Sequence, residues 1–229
     1  MSETVTGAVL VALPILFNAA FALLAMRFDY PDVLREPTRE VLRRFREGGA
    51  GLILIWWMFA LSAVLFAPLA VLLAGELGDA DRTVVALSVV VGVLASVVQF
   101  LGLIRWPFLV PYLARAAADP DASAARREAV DVVFQSFNRY LGVAVGEHLG
   151  YTLTGAWSIL TGVALIQTDA VAAWLGVVGV LIGPLFLLSS LEFLGRFEAS
   201  GWRLAGRLTP IAYILWSLWL IAVGVAFLT

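Results

Sequence analysis

Glu147 and His148 stand side by side about two turns inside an apolar stretch that begins near Tyr140, and His148 is the only histidine of the chain. A carboxylate accepts hydrogen bonds, a neutral imidazole both donates and accepts, and the pair suits proton transfer, cation binding or hydrogen bonding between helices. Ionisable groups inside a bilayer are costly and mark a pathway, a binding site or a structural pair. At about 100° per residue the two side chains project to different sides of a helix, so each needs a partner on another helix or in water. Depth names the candidates. At 1.5 Å per residue Glu147 and His148 lie about 12–13 Å beyond Arg139, Gln99 about 9 Å before Arg105, and Glu192 one turn inside Arg196. Tyr151 shares a stripe with Glu147. Gln99, Arg105, Glu147, His148, Tyr151 and Glu192 form the candidate ligand-binding layer near the cytoplasmic side of a membrane.

Composition removes several chemistries. Cysteine is absent, which excludes disulfides, thiolate metal sites and cysteine nucleophiles. All 15 basic residues are arginine, so no lysine is present to form a Schiff base with a cofactor. One histidine without cysteine does not make a zinc site, and a haem would find a single axial histidine. No cofactor and no metal are therefore expected. Three readings stay open for the polar layer. It binds a small ligand, a lipid headgroup or an ion, as a transporter or receptor would; it is a dry, fully paired layer that holds helices in register, with the arginine-rich segment 35–46 as a partner surface; or it is the acid/base pair of a membrane-embedded enzyme. Nothing else in the sequence names a reaction, so the enzyme reading is the least favoured. A net charge of −2 is too small to speak for or against any partner; no nucleic acid is expected, membrane lipids are the expected surroundings, and the oligomeric state is not readable.

The elements that must position these residues are membrane helices. The chain of 229 residues is 62% hydrophobic and only 14% charged, where a soluble domain is about half apolar and a quarter charged. Six apolar segments, approximately 6–26, 51–75, 83–104, 140–166, 171–195 and 210–229, are each long enough to cross roughly 30 Å of hydrocarbon. The fold expected is an all-α bundle of six transmembrane helices in a single domain spanning residues 1–229, with amphipathic cytoplasmic segments. Met1-Ser2-Glu3-Thr4 offers no basic leader to the first segment, which is read as a retained span. Of the 15 arginines, 14 fall in the connections after the first, third and fifth spans, and Arg82 alone falls on the other side. By the positive-inside rule those connections are cytoplasmic and both termini lie outside. Arginine-only basic usage suggests a GC-rich bacterial genome, hence a bacterial inner membrane.

Two connections are more than tethers. Between Pro31 and Glu47 the residues Val33, Leu34, Val41, Leu42 and Phe45 recur at helical spacing until Gly48-Gly49, which predicts a helix on the cytoplasmic membrane surface, broken at Pro37. Between Asp121 and Asn138 a stripe of Val130, Val133, Phe134, Phe137 and Leu141 predicts an amphipathic lead-in to the fourth span. Arg105 sits before Pro107 and Pro111 in an apolar run reaching Tyr112, so it either snorkels to the interface or turns inward onto a buried carboxylate. Small residues at Gly142, Gly146, Gly150, Thr154, Ser158 and Gly162 predict a ridge on which another helix packs closely. Asn18 and Pro14 lie nearer mid-membrane and extend the polar layer outward. The two halves share no alignable pattern that would support an inverted repeat.

Phe28-Asp29-Tyr30-Pro31-Asp32-Val33-Leu34-Arg35, the run Gln99–Pro111, Gly146-Glu147-His148-Leu149-Gly150 and Trp174-Leu175-Gly176-Val177-Val178-Gly179 resemble a family of multi-pass bacterial membrane proteins of unknown function, common in actinobacteria. The resemblance covers nearly the whole chain. It implies a six-helix membrane fold and supplies no activity, substrate or catalytic residue.

Overall fold

A computed structural model describes residues 2–229, and all regular structure among them is helical. The helices are α1 (Ser2–Phe28), α2 (Thr38–Gly75), α3 (Arg82–Ala117), α4 (Ala124–Ile166), α5 (Ala173–Ser189) and α6 (Arg203–Leu228), with 3₁₀ turns at Asp32–Arg35 and Gly195–Phe197. Five of them are long and apolar enough to cross a bilayer. The chain is an all-α polytopic membrane protein. Helix α5 has 17 residues, or roughly 26 Å at 1.5 Å per residue.

Each helix packs on its neighbours in the chain, and α1 closes on α6, so the six form a ring. The arginines of the three basic connections gather at one end of it, and Arg82 lies at the other with Glu76 and Asp81. Proline marks a break inside α2. Pro68 has no N–H to give to the Val64 carbonyl, and the helix is interrupted at Leu65 between Val64 and Phe66. Ser96 of α3 covers the gap, its hydroxyl donating to the Ala63 carbonyl at 2.8 Å. Asp81 caps α3 by accepting from the backbone N–H groups of Thr83 and Val84 at 2.8 and 3.0 Å.

Two cores divide the bundle along its length. Toward the Arg82 end, Leu10, Phe66, Leu69, Trp157, Leu175, Phe186, Trp216 and Trp219 are buried together. At the arginine-rich end the second core joins Phe28, Val33, Val41, Leu42, Phe45, Trp56, Trp106, Leu113, Val130 and Phe134. Trp56 and Trp106 stack at its centre, 4.3 Å between ring centroids.

That second core changes the reading of the first connection. Val33, Val41, Leu42 and Phe45 were expected to lie on lipid; all four are buried against protein instead. Helix α2 does begin after Pro37, and Gly49, non-helical with a φ of +57° that suits glycine, kinks it at the expected Gly48-Gly49 stop before the span. Gln135 of α4 donates to the Thr38 hydroxyl at 2.9 Å and ties the two amphipathic segments together. In the lead-in, Val130 and Phe134 are buried while Val133 and Phe137 stay exposed.

The fifth span is shorter than the expected 171–195. Ser189 and Ser190 return their hydroxyls to the Leu185 and Leu187 carbonyls at 2.9 and 2.8 Å, a local bonding that competes with helix continuation. Residues 190–194 then run in turns, and the N–H of Trp202 donates to the Glu192 carbonyl at 2.6 Å. Glu192 therefore sits in a loop folded back on the start of α6.

Candidate functional site

Helix α4 changes its winding where the ionisable pair lies. Residues Asn138–Leu149 form a π-helix between two α-helical stretches. Hydrogen bonds of the i to i+5 kind are rare, mostly single-turn, and frequent at functional sites. A wider turn rotates each residue by less than the 100° assumed from sequence, and Glu147 and His148 come to border one cleft.

The close approach of α3 fixes this stretch. A methyl group added at Gly102 would stand 2.7 Å from the Cα of Gly146, and one at Gly150 2.9 Å from the Cγ of Gln99. Small side chains here let two backbones touch. The predicted row serves two neighbours rather than one: Gly142, Gly146 and Gly150 face α3, whereas Gly162 meets Gly176 of α5, as Gly155, outside the row, meets Gly183.

Arg105 turns inward, though not onto a carboxylate. Its guanidinium donates to the Gly102 carbonyl and, at 2.9 Å, to Oδ1 of Asn138, while lying 5.4 Å from the Trp106 ring centroid. Gly142 leaves room for it, since a methyl there would come within 2.5 Å of Nη2. Glu147 is within electrostatic reach of Arg105 but makes no hydrogen bond or ion pair among the described residues. Gln99 is occupied in the α3–α4 seam, donating to the Thr154 hydroxyl at 3.0 Å.

His148 is held from across the cleft. Its Nδ1 lies 2.8 Å from the Ser190 carbonyl oxygen, and a carbonyl only accepts, so Nδ1 carries the proton of this hydrogen bond. The carboxylate of Glu192 rests beside Gly206, where a methyl would meet Oε1 at 2.6 Å. Burial raises the Glu192 carboxyl above the ordinary 4.5, against a smaller pull downward from Arg35.

Between the π stretch of α4, the end of α5 and the following loop lies a cleft of about 320 Å³. Glu147, His148, Tyr151 and Glu192 line it together with Val143, Ala144, Phe193 and Leu194, and at one edge Arg139 forms an ion pair with Glu198. Glu147 and Tyr151 are enclosed by protein yet keep surface that a water-sized sphere reaches, which is the condition of a group facing an internal cleft. Tyr151 packs edge-on to Tyr213 at 5.7 Å between centroids, and Tyr213 stacks on Phe17 at 5.1 Å.

Four of the six candidate residues thus surround one cleft, while Gln99 and Arg105 stand behind it. Asn18 lies apart, donating to the Pro14 carbonyl and to Ser217 at 2.7 and 2.9 Å. The Arg139–Glu198 pair, Asn138 and the Ser190 carbonyl were not identified from sequence. A backbone acceptor carries no residue signature, and Glu198 is brought to Arg139 only by the loop's return. Among the described residues no three His, Cys, Asp or Glu side chains gather as a metal-ligand set.

A profile of the family described as Domain of unknown function (DUF4386) matches residues 5–224. No curated protein and no solved structure matches the chain.

Proposed function

The chain belongs to the DUF4386 family, whose description names no reaction, and we propose from the cleft that it is a ligand-binding protein of the bacterial inner membrane. In this reading six helices cross the membrane, both termini lie outside, and the cleft opens to the cytoplasm to take a small ligand, as a transporter or receptor does. The observation that carries it is Glu147: a carboxylate enclosed by protein, without a hydrogen-bond or ion-pair partner among the described residues, on the wall of a cleft of about 320 Å³. A layer whose only role was to hold helices together would be paired and dry, because an unpartnered charge in such a place costs several kcal/mol. The distribution of arginines supports the orientation.

The test is a mass-spectrometric comparison of small molecules extracted from purified wild-type protein and from Glu147→Gln. A molecule retained by the wild type and depleted in the variant is expected. Identical extracts, from two proteins of equal thermal stability, would favour the purely structural reading.

A further inference from the structure

We infer that the cleft takes a small organic cation, an ammonium compound with an apolar body. This rests on the cleft being a binding site and adds the chemistry of its occupant.

Charge complementarity decides the sign. Glu147 and Glu192 both line the cleft, and neither forms an ion pair among the described residues. The one arginine on the wall, Arg139, is already paired with Glu198. Arg105 stands off the wall, held by Asn138 and the Gly102 carbonyl. Among the described residues the cleft wall therefore offers two carboxylates without an ion pair, with Arg105 and Arg35 acting on them only from a distance, and no unpaired guanidinium. An anion entering it would have to be desolvated beside like charges, whereas a cation supplies what the wall lacks.

Size and surface decide the rest. A bare inorganic ion needs a tight shell of oxygens, and about 320 Å³ is far more than that. Most of the wall is hydrocarbon or ring: Val143, Ala144, Tyr151, Phe193 and Leu194. Aromatic faces attract ammonium groups, and apolar walls bury an alkyl or aryl body. Glu147 and Tyr151 line the same wall, which places the carboxylate that would hold the charge beside an aromatic ring.

The absence of cysteine makes the test direct. Ala144→Cys places one thiol on the cleft wall. Purified protein is treated with trimethylammonium-ethyl methanethiosulfonate and with its sulfonatoethyl counterpart, each rate divided by that for a free thiol in the same detergent. Preference for the cationic reagent by about tenfold is expected, since clefts of one sign concentrate counter-ions by that order or more. Glu147→Gln and Glu192→Gln, made separately on the Ala144→Cys background, should each reduce the preference. Tetraethylammonium should slow the reaction of this cleft thiol with neutral methyl methanethiosulfonate, and benzenesulfonate should not. Equal or inverted preference, or protection by benzenesulfonate instead of tetraethylammonium, overturns the cation and leaves a binding cleft standing. A cleft thiol inert to all three reagents, while Asp121→Cys in an exposed loop reacts, removes the cleft itself and both inferences with it.

Discussion

Arg105 and Glu147 face the same interior and do not pair: the guanidinium donates to Asn138 and the Gly102 carbonyl, and the carboxylate is left without a hydrogen bond among the described residues. Removal of a partner from a true buried ion pair costs about 3–5 kcal/mol. Here the losses from Arg105→Ala and Glu147→Ala should be close to additive in thermal stability, with coupling within about 0.5 kcal/mol. The larger share should fall on Arg105→Ala, which strands the Asn138 and Gly102 acceptors. Coupling of several kcal/mol across that double-mutant cycle would mean a direct pair.

The seam between α3 and α4 has no spare volume at Gly102, where a methyl would stand 2.7 Å from the Gly146 Cα. Gly102→Val should destabilise the protein by about 1–3 kcal/mol or more, the usual cost of overpacking. Gly75→Val, where nothing lies within 4 Å, should cost little by the same measurement. Equal melting temperatures for the two variants would show that the seam is looser than described.

Glu192 gives a pH signature. It lies in the turn after α5, and burial raises its carboxyl above 4.5 while Arg35 opposes the shift. The folded state then holds this proton more tightly than the unfolded chain does. Its contribution to stability is fully present below the ordinary value and is lost as pH rises through the raised folded one. As pH is taken upward from 4.5, the melting temperature of the wild type should fall relative to that of Glu192→Gln. Over the same rise, protection of the Ala144→Cys thiol by tetraethylammonium should strengthen as the carboxylate ionises. A difference between wild type and variant that does not change with pH would contradict the raised value.

Orientation has its own measurement. Single cysteines replacing Ser2 or Thr229 should be modified by an impermeant thiol reagent applied outside the cell. Modification of either from the cytoplasm alone would invert the topology drawn from the arginines.

Much of the fold was legible because the signals are large: long apolar runs and arginines on alternate connections. The glycine row of α4 was legible too, since close packing needs small residues at regular spacing. Its division between α3 and α5 was not, because the π winding of residues 138–149 breaks the 100° projection on which the reading rested. The same winding explains why Glu147 and His148, separated in projection, border one cleft. Glu192 was placed at membrane depth by counting back from Arg196, a count that assumed continuous helix. Ser189 and Ser190 end α5 earlier and turn that residue into a loop. Arg105 was read as either a snorkelling residue or a carboxylate's partner, and neither reading included Asn138, one helix away and 33 residues on in the chain.

Whether water reaches Glu147 decides between a binding cleft and a dry structural layer, and Glu147→Cys asks this at the residue itself in a chain with no other cysteine. An impermeant thiol reagent is applied in turn to each face of membrane vesicles, with Asp121→Cys as the exposed control. Modification of the Glu147→Cys thiol from the cytoplasmic face is the expected result. A thiol at this position that stays unmodified from both faces, while the Asp121→Cys control reacts, would show that the layer is closed.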